Sequence, residues 1–276
     1  MNEVKGEKLL KIAILSDIHE GLNLKKSGAD ILGLLGEWLT HQAPDVFIIS
    51  GDMTAGPEKS LALLNRLQND LPKIKILFVH GNHDLYHDDA FIAYDKLLEF
   101  PGNLGNGPVD LNKEWVVIGD GGWYDYTFGV DGFTEEQFSS GKFNDFTWPD
   151  KIHAHWQEED VAVTRHYLAT VERWLAEHRD KNIILVSHFV PFAHFVQVKN
   201  DPSWDFFNAM MGSAGIGGLA EKYSVKKLIF GHIHTRYHEQ YKGIDCICNP
   251  LGYFPYEWIT ESAQAEISST IKIIEI

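Results

Sequence analysis

The tetrad Gly81-Asn82-His83-Asp84 closes a short apolar run over residues 75–79. A run rich in β-formers that stops at such a tetrad reads as a buried strand delivering polar side chains to a sheet edge. Asn82 offers a neutral oxygen. His83 offers an imidazole that exchanges a proton near neutral pH. Gly81 lets the backbone come close to whatever these groups hold. By itself the tetrad is explained equally well by a strand and a polar turn. Four further apolar runs end in the same way, at Asp17 and His19, at Asp52, at His188, and at His232 and His234. A lone strand-end His or Asp is ordinarily a cap or a turn residue, but five such ends in one chain read as one shared site. In Asp17-Ile18-His19 and His232-Ile233-His234, residues two apart point the same way on extended backbone. Each pair could then grip one cation or two adjacent ones. Nitrogen and oxygen donors without thiolates suit Mn, Fe, Zn or Ni better than Cu(I) or Ca.

The elements that must position these groups alternate along the chain. Ile31, Leu34, Leu35, Trp38 and Leu39 recur at helical spacing, as do Leu61, Leu64 and Leu67, and then Phe91, Tyr94 and Leu98. Pro44 and Pro72 close the first two segments. Three strand–helix units in succession predict an α/β fold with a parallel sheet, and in such sheets function sits at the carboxyl ends of the strands. Residues 101–108 are turn-rich, 115–119 predict a strand, 158–178 a helix, and 219–223 a short helix. The segments 244–248 and 267–276 predict strands of a second, more antiparallel sheet. Residues 1–276 read as one domain with an aromatic insertion over 121–157. The part over 131–156 is long and weakly periodic, which is expected of a functional loop or lid.

Lys plus Arg number 24 and Asp plus Glu 39, a net charge of −15. That balance argues against a nucleic-acid polymer or an anionic membrane as partner. It leaves room for a small phosphoester, because bound divalent cations would reverse the local sign. The N-terminus from Met1 to Lys8 is charged and has no apolar leader core, and no run of about 18 apolar residues is present. A cytoplasmic location is the expectation. Cys246 and Cys248 alternate along one predicted strand, a spacing poorly placed for a disulfide. They read as buried free thiols, with a soft-metal role as the competing interpretation.

Asp17-Ile18-His19, Gly51-Asp52, Gly81-Asn82-His83-Asp84, His188 and Gly231-His232-Ile233-His234 occur in the order of the calcineurin-like metallophosphoesterase superfamily, which the chain resembles over residues 9–234. The resemblance implies a four-layer αββα sandwich, two mixed β-sheets flanked by helices. It implies that Asp17, His19 and His234 bind one divalent metal, that Asn82, His188 and His232 bind a second, and that Asp52 bridges both. His83 is implied as the catalytic histidine, with Asp84 a candidate for orienting it. The implied reaction is attack of a metal-bridging hydroxide on phosphorus, in line, with His83 as acid. One departure narrows the branch. Phosphoprotein phosphatases read Gly-Asp-x-x-Asp-Arg-Gly, whereas this chain reads Gly51-Asp52-Met53-Thr54-Ala55-Gly56-Pro57. The pattern is more similar to the bacterial phosphodiesterase branch, so a small phosphodiester is the expected substrate. A phosphomonoesterase on the same centre and a non-catalytic protein-binding scaffold are the alternatives.

Candidate substrate-binding residues are Trp123, Tyr124 and His194. They come from a wider set on predicted loops near the strand ends, with Tyr126, Trp148, Trp156, Phe192, Trp204 and Tyr253. Packing of the second sheet and its lid is the competing reading for these aromatics. His153 and His155 alternate as the ligand pairs do, but follow no apolar strand, and read as surface residues.

Overall fold

The computed structural model describes residues 9–276. The chain opens with β1 (Lys11–Leu15), α1 (Glu20–Ser27), α2 (Ile31–Gln42), β2 (Val46–Ser50), α3 (Pro57–Asp70), β3 (Lys75–Val79) and α4 (Ala90–Leu97). Next come β4 (Val109–Asp110) and β5 (Trp115–Gly119). A region of small elements follows, with α5 (Glu135–Ser140), β6 (Lys142–Phe143), β7 (Phe146–Thr147) and α6 (Asp150–His153). After these run α7 (Asp160–Glu177), β8 (Asn182–Val186), α8 (Pro202–Phe207), α9 (Ala214–Lys222) and β9 (Lys227–Phe230). β10 (Tyr237–Tyr241), β11 (Ile244–Cys248), α10 (Ala263–Thr270) and β12 (Lys272–Glu275) complete the chain.

One sheet has the order β12-β1-β2-β3 and the other β10-β11-β9-β8-β5-β4. β1, β2 and β3 are parallel, and β12 joins β1 antiparallel. β5, β8, β9 and β11 are parallel, with antiparallel β4 and β10 at the two edges. Strand alternation builds the layers. Ile12, Ile14, Val46, Ile48, Leu77 and Val79 of the first sheet share a buried cluster with Val117, Ile184, Val186, Ile229 and Ile247 of the second. The alternate residues turn outward. Ala13, Leu15, Phe47 and Ile49 meet Leu35, Leu39, Leu64 and Leu67 of α2 and α3, while Val116, Ile118, Ile183 and Leu185 lie in the same large cluster as Val171 and Leu175 of α7. The result is a four-layer sandwich of two mixed sheets between helices. Because both faces of each inner strand are covered, the strands read as unbroken apolar runs rather than as alternating ones.

The C-terminal third departs from expectation. Residues 244–248 do form a strand of the second sheet, but β11 runs parallel to β9. Residues 263–270 are helical, and only 272–275 form a strand, which belongs to the first sheet. The helix starts where the Ser262 side chain accepts from the Ala265 N–H, and it buries Ile267 beside α2; that cap outweighs the β-branched residues further on. The short helix expected at 219–223 begins earlier, at Ala214, where Ser213 provides the cap. Cys246 and Cys248 are free and buried. Burial pushes the Cys246 thiol up to about 12 and raises that of Cys248 as well. The charged N-terminus, Met1 to Lys8, lies outside the described residues. Among the described residues, no helix is long and apolar enough to cross a membrane.

Candidate metal centre

The carboxyl ends of β1, β2, β3, β8 and β9 meet along one rim of the sandwich. Ligand atoms of Asp17, His19 and His234 lie within 4.8 Å of one another, as do those of His19, Asp52 and His83, and those of Asp17, Asp52 and His188. Asn82 Oδ1 stands 3.1 Å from His188 Nε2 and 3.1 Å from His232 Nδ1. Asp52 sits between the two groups, with Oδ1 3.6 Å from His188 Nε2 and Oδ2 3.7 Å from His19 Nε2. All seven candidate ligands, and His83 with them, therefore form one cluster.

The backbone that brings them together is not extended. Asp17, His19, Asp52, His232 and His234 have φ of +50°, +43°, +55°, +72° and +46°. Left-handed backbone costs about 1–2 kcal/mol at a residue other than glycine, and such conformations concentrate at functional sites. The expected alternation along Asp-x-His and His-x-His is thus replaced by left-handed turns that aim both residues of each pair inward. Interlocking main-chain bonds fix the turns: Asp17 N–H donates to Gly51 O, His19 N–H to Asp52 O, and His232 N–H to Asp17 Oδ1. Two glycines make the close approach possible. A Cβ at Gly81 would lie 2.0 Å from Asp52 Oδ1, and one at Gly51, itself at φ +90°, would lie 2.4 Å from His188 Nδ1.

Further polar groups hold the ligands from behind. His188 Nδ1 lies 2.8 Å from Ser50 O, and His232 Nε2 lies 3.2 Å from Met210 O, so each ring donates outward and turns its other nitrogen inward. Asn82 donates its amide N–H to Asp150 Oδ1 at 2.7 Å, which directs its oxygen toward the cluster. Asp150 also accepts from the Trp148 indole at 2.8 Å and from the Tyr86 hydroxyl at 3.2 Å. Glu257 Oε2 lies 2.7 Å from His234 Nδ1.

Asp84 does not orient the His83 ring. It is fully buried and accepts from the main-chain N–H groups of Asp52, Met53, Thr54 and Gly81 and from the Ser60 hydroxyl. A carboxylate so engaged ties the Gly51 and Gly81 turns to each other and has no reach to spare for the imidazole. The His83 ring stacks on Tyr86 at 4.5 Å, and its Nε2 is 3.4 Å from the Tyr253 hydroxyl and 3.8 Å from Asp52 Oδ2.

The electrostatics of the cluster fit divalent cations. Asp17, Asp52 and Asp84 are all buried, and no lysine or arginine pairs with them among the described residues. Burial, then Asp17 and Asp84, raise the Asp52 carboxyl well above its ordinary value. Burial works against charge on Asp17 too, but His234 and the other imidazoles hold its carboxyl low. His234, although burial opposes it, is drawn up to about 10 by Asp17 and Glu257. An imidazolium there supplies part of the positive charge the carboxylates require. Burial, reinforced by neighbouring imidazoles, lowers His19 and brings His83 down to about 3. Burial likewise lowers His188 and His232. Neutral imidazoles beside carboxylates that a single imidazolium only partly compensates are the donor set that a borderline divalent cation takes.

A cleft of about 180 Å³ opens onto the cluster, lined by Asp52, Asn82, His83, Trp148, Tyr253 and Asp150 among others. Of the candidate substrate-binding residues, Trp123 and Tyr124 do not line it. Both are fully buried and pack against Phe189, because their segment runs inside the second sheet's outer layer rather than over the rim. His194 lies elsewhere too, half-exposed, stacked on Tyr241 and paired with Glu239 at 2.7 Å. Trp148 and Tyr253, from the wider aromatic set, are the rings that reach the cleft. Asp150, Tyr86 and Glu257 went unread in the sequence. None follows an apolar strand, and only Asp150, next to Trp148-Pro149 in the aromatic insertion, carried a local hint.

The calcineurin-like phosphoesterase family model matches residues 10–236. No curated protein sequence matches the chain. Among solved structures, the phosphopantetheinyl hydrolase PptH from Mycobacterium tuberculosis superposes with a TM-score of 0.72, at 19% identity over 96% of each chain. A dimetal phosphatase from Danio rerio gives a TM-score of 0.53, at 14% identity over 87% of this chain and 86% of the other.

Proposed function

The chain belongs to the calcineurin-like phosphoesterase family, and from that premise we propose that it hydrolyses small phosphodiesters at a centre of two divalent cations. Asp17, His19 and His234 would hold one cation, Asn82, His188 and His232 the other, and Asp52 would be shared. The observation that carries this reading is the convergence of seven oxygen and nitrogen donors around buried carboxylates that, among the described residues, no lysine or arginine neutralises. Two such cations, when bound, neutralise charge on phosphoryl oxygens and lower the pKa of a coordinated water.

The protein's own groups do the rest. His83 faces the cleft as a neutral imidazole, since burial holds it down to about 3. It therefore acts as an N–H donor to a phosphoryl or leaving oxygen, rather than arriving as imidazolium. Tyr86, stacked on the ring, and the Tyr253 hydroxyl fix its orientation. Trp148 and Tyr253 wall the cleft against bulk water. Among the described residues no lysine or arginine lines that cleft. His234, which does line it, is already paired with Asp17 and Glu257, so the second charge of a monoester dianion would have to compete with those carboxylates for a side-chain cation. This supports a diester over a monoester.

The test is a panel of bis(p-nitrophenyl) phosphate, p-nitrophenyl phosphate and a phosphopantetheinyl ester, run with Mn, Ni, Fe and Zn added separately. The last belongs in the panel because of the activity PptH is named for; the shared fold alone does not transfer it. We expect metal-dependent turnover, faster on the diester. His83→Ala should keep its metal content by elemental analysis and lose about 10²–10⁴-fold in kcat. A metal-replete protein inactive on every ester would overturn the proposal.

A further inference from the structure

A second concavity adjoins the cleft. It encloses about 600 Å³ and shares Trp148, His232 and His234 with the cleft. Its remaining walls come mostly from the β6–β7 hairpin and from residues 197–211, chiefly Phe146, Trp204, Phe207 and Met211, with Ile233 and Glu257 completing them. Phe146 is 52% exposed and Trp204 43%, a large apolar area to leave in water beside a polar centre. Small-molecule sites have this composition, apolar walls with a few polar groups at one end.

The rings of the groove are engaged with one another. Trp148 stacks on Phe207 at 5.5 Å, Phe146 meets Phe207 edge-on at 5.1 Å, and the Lys199 ammonium sits 3.3 Å over the Trp204 ring. That arrangement offers ring edges and the Met211 side chain, not a pair of open parallel faces between which a nucleobase would slide. The described lining carries one lysine, Lys199, and two carboxylates, Asp201 and Glu257. A polyanion finds no row of cations there. At the inner end lie His232 and His234, where the phosphoryl group of the preceding section would sit.

We propose that this groove receives the alcohol portion of the diester and selects an extended, uncharged, mainly aliphatic chain. The inference rests on the phosphodiesterase reading for its inner end, and on the lining residues for its selectivity. Contact with the walls should strengthen with every methylene that leaves water, up to the length of the groove.

The experiment uses the metal-loaded protein and a series of p-nitrophenyl phosphodiesters carrying methyl, butyl or octyl as the second ester. Equilibrium binding of the matching alkyl(methyl)phosphinates, whose two P–C bonds leave no ester to hydrolyse, runs in parallel. In the wild type kcat/KM should rise about two- to fourfold per added methylene. Trp204→Ala and Phe146→Ala, both at exposed positions, should flatten that rise and leave the methyl ester unchanged. Rates independent of chain length would overturn the groove assignment while leaving phosphodiester hydrolysis intact. A thymidine 5′-p-nitrophenyl phosphate that outperforms the octyl ester would also overturn it. Chain-length-dependent phosphinate binding without turnover of any ester would keep the groove and remove the hydrolytic reading instead.

Discussion

In the proposed half of the centre made by Asn82, His188 and His232, every inward-facing atom is aimed by a polar partner behind it. Asp150 holds the Asn82 amide, Ser50 O the His188 ring and Met210 O the His232 ring. The half made by Asp17, His19 and His234 is supported differently. All three residues sit on left-handed backbone, against His232 alone in the other half. His19 Nδ1 is buried without a polar partner, and His19 Nε2 lies 3.1 Å from His234 Nε2, nitrogen against nitrogen. Among the described residues His234 alone of the three pairs with a carboxylate outside the cluster, Glu257, which is a third exposed. A ligating histidine whose other nitrogen is hydrogen-bonded has its tautomer and direction set in advance. The difference teaches that one half is organised before any cation arrives, while the other is organised by backbone strain and by charge. The Asn82 half should therefore bind its cation more tightly.

The largest effect should come from Asp52, the residue proposed to belong to both halves. Asp52→Asn removes the shared carboxylate charge, so both cations should be lost together and kcat should fall on the order of 10³-fold or more. Elemental analysis after dialysis checks this, and retention of one equivalent would separate the halves and deny Asp52 its bridging place. A smaller, one-sided effect is expected at Asp150. Asp150→Ala leaves the Asn82 amide free to rotate and orphans the Tyr86 and Trp148 donors. Loss of such an outer partner typically costs about 10–100-fold in metal affinity. Stepwise metal titration should show that loss in the Asn82 half alone. Equal weakening of both halves would break the contrast drawn above.

The contrast also marks what the sequence could and could not convey. The convergence of the seven candidate ligands was legible because each follows a short apolar run of strand length, as at Phe47-Ile48-Ile49 before Asp52, and five such ends recur in one chain. The left-handed turns that aim them were not, since Asp and His carry no mark of positive φ; only Gly51 and Gly81 hinted at close approach. The outer partners were not legible either. Asp150 and Glu257 come from loops with no periodicity, and their roles depend on tertiary contact with Asn82 and His234. For the same reason Trp123 and Tyr124, which look like a binding motif between glycines, turn out to be core. Asp84 shows the limit most clearly. Its place beside His83 in the chain suggested a catalytic pair, yet its carboxylate points back into the main-chain amides of the Gly51 turn.

The smallest of these effects should follow Glu257→Gln, and it bears on the less organised half. Glutamine can still accept from the Tyr253 N–H through its side-chain oxygen, as Glu257 does at 2.6 Å. It loses the charge that, together with Asp17, draws His234 up to about 10 against the effect of burial. Two consequences then oppose each other. The His234 ring is less firmly oriented, which weakens a cation in the Asp17 half. The proton it must release before ligating is also held less tightly, which favours one. Glu257 is partly exposed, so solvent already screens its charge. The net change should be no more than about tenfold in affinity for the Asp17 half, with the Asn82 half unaltered. Metal titration of this variant beside Asp150→Ala decides the matter: a loss at Glu257 larger than that at Asp150 would mean that the Asp17 half, not its neighbour, depends on outer support.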